Sequence, residues 1–208
     1  MNWLTAHSHP LSDAPVLARW RKGAGLTVAA GAALALALGG FGQAPTLRQF
    51  AYSYLLAYMF TLSLCLGGLF LVLLHHLFDA GWSVPIRRLA EHLACLLFPV
   101  MAVLWLPIAL LAPAIYPWMD AAHVDHALHA KQALLNKPVW YAVSVALFLG
   151  WGLLAHKLRA WSLRQDQTGG ADCTYRLRFH AAWGIFYFAL SLTLAVILWV
   201  KSIQHQWF

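Results

Sequence analysis

FAYSYLLAYMFTLSLCLGGLFLVLL, residues 50–74, contains no charged side chain and closes on His75-His76. About 20 apolar residues, rising 1.5 Å each, cross the ~30 Å hydrocarbon core of a bilayer, so this run is long enough to span it. It does not alternate apolar and polar positions as a barrel strand does. Backbone N–H groups in lipid must be satisfied within their own segment, which makes the run a helix. Four further runs read the same way: 23–47, rich in Ala, Leu and Gly; 93–119, interrupted by Pro99, Pro107 and Pro113; 138–155; and 181–200. The expected fold is therefore all-α and polytopic. Five transmembrane helices are placed near 24–43, 50–78, 89–115, 138–158 and 179–202, preceded by a polar segment over 1–23.

Composition agrees. Of 208 residues, 62% are hydrophobic and 10% charged, with a mean hydropathy of +0.65. Soluble domains carry about 25% charged residues, so a water-soluble globule is excluded. The 14 Lys and Arg against 7 Asp and Glu leave a charge of +7, and the placement of the cations explains it. With the N-terminus inside, the inner segments hold Arg19, Arg21, Lys22, Arg87, Arg88, Lys157, Arg159, Arg164, Arg176 and Arg178. The outer ones hold only Arg48, Lys131, Lys137 and Lys201. Basic residues are retained on the cytoplasmic side during insertion, so the expected orientation is N-in and C-out, with no nucleic-acid partner. The first run, preceded by Arg19-Trp20-Arg21-Lys22, is longer than a signal-peptide core and reads as a retained signal anchor. Cys65, Cys95 and Cys173 are too few and too scattered for a disulfide framework.

Aromatic residues flank the spans, among them Tyr52, Tyr54, Trp82, Tyr116, Trp118, Trp140, Trp161 and Trp183, at the level where amphipathic rings settle among headgroups. Gly67-Gly68 and the glycines of the first run mark close helix packing. The ionisable residues are more selective. His75, His76, Asp79, Arg87, Arg88, Glu91, His92, His156 and His180 all fall near the inner helix ends. The hairpin between the second and third spans is short enough to bring His75-His76 opposite Glu91-His92. Histidine exchanges protons near neutral pH, and ionisable groups in a membrane are costly enough to mark proton or substrate paths. We therefore expect His75, His76 and Glu91, with Asp79 nearby, to form a hydrogen-bonded group able to relay protons or contact a quinone. Arg87, Arg88 and Trp82 are expected to anchor in the headgroup layer. Axial haem ligation by His76 with His156 or His180 is a weaker reading, since these histidines sit at helix ends. His123, His126 and His129 recur every third residue without completing a metal site. Phosphate-binding loops, dinucleotide fingerprints and nucleophile elbows are missing from the sequence.

Several motifs together carry a family resemblance. They are Tyr-Leu-Leu-Ala-Tyr-Met-Phe at 54–60, Leu-Gly-Gly-Leu-Phe at 66–70, His75-His76, and Gly81-Trp82-Ser83-Val84-Pro85-Ile86-Arg87-Arg88 followed by Glu91. Leu106-Pro107-Ile108, Tyr116-Pro117-Trp118, Leu134-Leu135-Asn136-Lys137-Pro138, Trp161-Ser162 and Gln165-Asp166-Gln167-Thr168-Gly169 continue the series. From residue 50 onward the chain resembles the ActF-type membrane component of alternative complex III, a bacterial quinol:electron-acceptor oxidoreductase.

The resemblance implies one leading helix followed by a four-helix bundle, in a bacterial inner membrane. It implies a component that binds no haem or iron–sulfur centre of its own. The implied partners are a homologous quinol-binding membrane subunit, an iron–sulfur subunit and multihaem cytochrome c-type subunits, with haem c and the clusters in those chains. Structural support, quinone contact and proton translocation are the implied roles, at His75, His76, Arg87, Arg88 and Glu91. Two departures stand out. Leu198 precedes Trp199 where the family carries an acid, and the chain stops at Phe208 where the family continues into a second bundle. The function expected is that of a non-redox membrane subunit of a quinol-oxidising respiratory complex. A free-standing transporter or proton channel is a different class, but alternating access usually needs a second related half. A haem-carrying membrane cytochrome is the third.

Overall fold

Leu, Ala and aromatic side chains fill the long apolar runs, and in lipid such runs close into helices because no water competes for the backbone. A computed structural model of the chain describes residues 22–23, 26, 31, 44–119, 128, 131–169 and 171–204. The chain divides into two compact units, Met1–Phe50 and Ala51–Phe208. In the first, the described residues Lys22, Gly23, Leu26, Gly31 and 44–50 are helical. The expected polar segment over 1–23 and the expected leading helix over 24–43 lie almost wholly outside the described residues, as do His123, His126 and His129.

The second unit carries the membrane architecture. Helix α1 (Ala44–Phe78) enters it and is followed by a short 3-10 turn, Gly81–Ser83. Helices α2 (Val84–Cys95) and α3 (Ala102–Ile115) form one interrupted span. Helices α4 (Lys137–Thr168) and α5 (Ala171–Ala195) form a hairpin, and the last span continues through a π-turn, Val196–Val200, and a 3-10 turn, Lys201–Gln204. Among the described residues there is no strand. Four stretches, Leu47–Phe78, Gly81–Ile115, Lys137–Thr168 and Ala171–Gln204, are long and apolar enough to cross a membrane. The chain is an all-α, multi-pass membrane protein.

Contacts between successive helices close into a ring. The Tyr58 hydroxyl of α1 donates to the Met101 carbonyl at 3.0 Å, and Tyr52 donates to Ile115 at 3.0 Å. Across the next interface, Tyr141 donates to the Ala109 carbonyl at 2.8 Å and Trp105 stacks on Trp140 at 5.1 Å. Within the α4–α5 hairpin, the Trp151 Nε1–H donates to Ser191 Oγ at 2.8 Å. Phe188 of α5 then stacks on Phe70 of α1 at 5.6 Å, completing a four-helix bundle.

Its interior away from the charged end is an aromatic core. Trp140, Trp151, Trp199 and Tyr116 are fully buried. The π-turn frees carbonyls that such rings can use: Trp140 Nε1–H donates to Leu198 O, and Tyr116 Oη–H to Trp199 O, both at 2.9 Å. Trp199 Nε1–H donates to Ser144 Oγ at 2.8 Å. Trp199→Phe keeps the stacking and removes that bond, which is expected to cost about 1 kcal/mol. Reversible unfolding in mixed micelles measures the loss, and a change indistinguishable from zero would leave the bond without a stabilising role.

Helix limits are where sequence and structure part. The apolar pattern ends the fourth span near 158 and begins the fifth near 179, with a polar loop between. Instead α4 runs on to Thr168 and α5 starts at Ala171, so the expected polar loop is almost entirely helical. Gly169 takes a left-handed conformation (φ 61°) and its N–H closes on the Gln165 carbonyl at 2.8 Å, as a helix C-terminus favours. An apolar run ends where lipid ends, whereas a helix continues as long as its backbone and packing allow. The third span likewise begins earlier than expected, at Gly81. It breaks at Phe98 (φ −142°, ψ 128°) because the residue before a proline is pushed out of the helical region. The start of α4 follows from sequence: Asn136 Oδ1 accepts from the Val139 N–H at 2.9 Å, with Pro138 in the first turn.

Candidate functional site

The continuation of α4 past the apolar run brings it alongside α2. Arg87, Arg88 and Glu91 sit within one turn of α2, so their side chains share a face; Ser162 and Asp166 do the same on α4. Glu91 is buried (2% exposed), and both its oxygens are taken. Arg88 Nη1 donates to Oε2 at 2.5 Å, the Ser162 hydroxyl donates to Oε1 at 2.5 Å, and Arg87 Nε lies 3.7 Å from Oε1. The other carboxylate, Asp166, receives Arg87 Nη2 at 2.9 Å and pairs with Arg88 Nη2. Two guanidiniums face two carboxylates, so the group is neutral as a whole. A buried carboxylate is tolerated on those terms: paired, and with its lone pairs filled.

Further polar links tie the same end of the bundle. His92 Nδ1–H donates to the Arg88 carbonyl at 2.6 Å, which leaves Nε2 to accept from Arg159 Nη2 at 3.0 Å. Gln165 donates to Thr174 Oγ1 at 2.7 Å across the α4–α5 hairpin. Asp79 pairs with Arg178, joining the end of α1 to α5. Asp79 is also the left-handed residue (φ 49°) that terminates α1, with the Ala80 N–H returning to the His75 carbonyl at 3.2 Å. Aspartate tolerates that region better than most side chains.

The expected hydrogen-bonded group of His75, His76 and Glu91 is not formed. His75 turns to its own hairpin, with Nδ1 at 2.7 Å from Ser83 Oγ and 3.2 Å from the Ala80 carbonyl. Since the Ser83 hydroxyl is itself placed to donate to Ala80 O at 2.8 Å, Nδ1 carries the proton and Nε2 is left as the acceptor. His76 packs edge-on against His75 at 4.9 Å and is buried, with no partner for its Nε2. Glu91 is committed to arginines because a guanidinium offers several donors in a fixed fork, which an imidazole cannot match. Arg87 and Arg88, expected at lipid headgroups, spend their charge on these carboxylates instead. Trp82, also expected at the headgroups, is exposed on the 3-10 turn.

His156 and His180, the alternative haem ligands, each bond a carbonyl one turn back on their own helix, Gly152 at 3.1 Å and Arg176 at 2.7 Å. Among the described residues no group of His, Cys, Asp and Glu could hold a metal ion. An apolar groove of about 180 Å³ opens between α1 and α5, with Met59, Leu62, Leu66 and Trp199 in its walls. Its lining suits a hydrocarbon chain and offers no acid–base chemistry.

Ser162, Asp166, Arg159 and Arg178 are the site residues that sequence reasoning missed. Ser162 and Asp166 have helical i, i+4 spacing, which identifies them only once α4 is known to extend past Ala155. Chemically, the site holds helices together at one end of a membrane bundle; its arginines and carboxylates are paired with one another. The chain matches no protein-family model and no curated protein sequence.

Proposed function

We propose that this chain is a non-redox membrane subunit of a quinol-oxidising respiratory complex of the alternative complex III type, whose bundle supports assembly with the redox-active subunits. One observation carries the reading. Two motif elements behind the family resemblance, Arg87-Arg88 with Glu91 and Ser162 with Asp166, lie more than 70 residues apart yet bond directly to one another. A pattern shared with a family is expected to be retained where its parts depend on each other, and here they form one neutral clamp. Haem c and iron–sulfur clusters belong, on this reading, to the partner chains, and electron transfer passes outside this one.

The outward faces of the bundle support a subunit role. Leu56, Phe60, Leu110, Leu153, Phe186 and Leu190 are each more than 60% exposed, a surface for lipid or neighbouring helices. Small residues let helices approach where no hydrophobic force drives them together. Purification in mild detergent is expected to return the chain with a homologous membrane subunit, an iron–sulfur protein and multihaem cytochromes. Recovery as a well-behaved monomer would replace the subunit reading with that of an independent transporter. Haem absorption from the purified chain alone would replace it with a membrane cytochrome.

The orientation we propose puts the charged end in the bacterial cytoplasm, with a fifth, leading span over 24–43 and the C-terminus outside. Most basic residues of the described bundle gather at that end, as insertion requires. Single cysteines at positions 125 and 168, in a background lacking Cys65, Cys95 and Cys173, test it with a membrane-impermeant thiol reagent. Labelling from outside is expected at 125 and not at 168; the reverse pattern inverts the topology.

A further inference from the structure

The ion pairs at the charged end leave some cations over. Arg87 and Arg88 are held by Glu91 and Asp166, and Arg178 by Asp79. Among the described residues, Arg164 and Arg176 have no carboxylate partner, although Asp172 stands one turn before Arg176. Both guanidiniums are gathered at one ring: Arg164 Cζ lies 5.3 Å and Arg176 Cζ 4.8 Å from the centre of Trp161. An indole attracts cations to its faces without neutralising them, so both charges stay at this ring. Such a pair is prepared for an anion of two or more oxygens, and arginine suits phosphate.

What lies beneath the pair identifies the class of anion. On α5, Arg176, His180, Trp183 and Tyr187 follow one another at helical spacing. The rings of the last three form a ladder, with centroids 6.3 Å and 6.4 Å apart. On α4, Gly150 leaves a notch that Tyr187 occupies: a Cβ there would collide with the Tyr187 hydroxyl. From Trp161 to Gly150 the helix descends about 17 Å at 1.5 Å per residue. That is close to half of the ~30 Å hydrocarbon core, the depth of a single leaflet. Trp183 is 43% exposed along this seam.

We propose that the outer seam of the α4–α5 hairpin binds an anionic phospholipid. Its phosphate sits between Arg164 and Arg176 at the edge of Trp161, and an acyl chain runs along His180, Trp183 and Tyr187 toward Gly150. A free phosphate would use the cations alone, whereas the apolar seam one leaflet deep is useful only to a lipid. The site does not depend on the identity of the surrounding complex.

The test compares lipids of equal chain length. Full-length protein, purified with whatever subunits accompany it, is melted in detergent micelles supplemented with dioleoylphosphatidylglycerol, dioleoylphosphatidylcholine or sodium phosphate. Phosphatidylglycerol is expected to raise the melting temperature in a saturable way; phosphatidylcholine and phosphate are not. The double variant Arg164→Gln/Arg176→Gln is expected to need roughly 30-fold more phosphatidylglycerol for the same shift, since each cation near a charged lipid surface is worth about fivefold in affinity. Because each protein is compared with itself across lipids, a variant of lower basal stability still reports. Equal shifts with phosphatidylcholine, a full shift with phosphate, or an unchanged response in the double variant would each overturn the proposal. So would protection of the seam by a protein subunit that remains bound when all lipid has been exchanged.

Discussion

Glu91→Ala is expected to destabilise the bundle by about 3–5 kcal/mol, the usual cost of removing one partner from a buried ion pair. The carboxylate is almost wholly withdrawn from solvent and accepts from Arg88 and Ser162 at 2.5 Å each. Without it, two guanidiniums face Asp166 alone, and the Ser162 hydroxyl loses its acceptor. Reversible unfolding in mixed micelles reads the loss directly. Ser162→Ala removes one hydrogen bond and is expected to cost about 1 kcal/mol. The combination Arg88→Met/Glu91→Leu/Ser162→Ala replaces the buried charges with apolar volume and is expected to recover most of the deficit, because the desolvation cost disappears with the charges. A cost below about 1 kcal/mol for Glu91→Ala would mean that the clamp does not hold α2 to α4. In that event the motif coupling that carries the subunit reading would lose its physical basis. Glu91→Gln in the assembled complex adds a second readout: unchanged quinol oxidation alongside lowered stability is the outcome expected of a clamp.

Gly68→Leu is expected to separate α1 from α2, at a cost of about 3 kcal/mol or failure to accumulate in the membrane. A Cβ at Gly68 would lie 2.8 Å from Leu93 Cβ, 3.0 Å from the Ala90 carbonyl oxygen and 3.3 Å from the Ala94 nitrogen. Two of these neighbours are backbone and cannot rotate away. Neighbouring Gly67 meets nothing within 4 Å, so Gly67→Ala is expected to be tolerated. Membrane yield and melting temperature of the two variants, measured side by side, distinguish a packing contact from a general intolerance of side chains in this helix. Equal behaviour of the two would refute the contact. Gly152 presents the same geometry against Phe98, whose Cβ leaves no room for a side chain at that position. The break before Pro99 is therefore accommodated by a glycine on the facing helix.

Residues 50–74 needed no tertiary information to be read as a spanning helix. Lipid offers no partner for the backbone, so length and apolarity alone decide the matter. The same holds for the other three described spans. The gathering of basic residues toward one end was also legible, because insertion acts on the linear chain. The limits of α4 and α5 were not. Residues 157–168 and 171–180 are polar enough to resemble a loop, and they are helical because they extend the bundle beyond its apolar run. That extension decides the partners of Glu91. From sequence, His75 and His76 were its nearest candidates across a short hairpin; in three dimensions Arg88 lies one turn away, and Ser162 arrives from a helix 71 positions further along. Which of several polar groups satisfies a buried carboxylate depends on small differences in distance and on the number of donors each can offer. Only the packed bundle sets those.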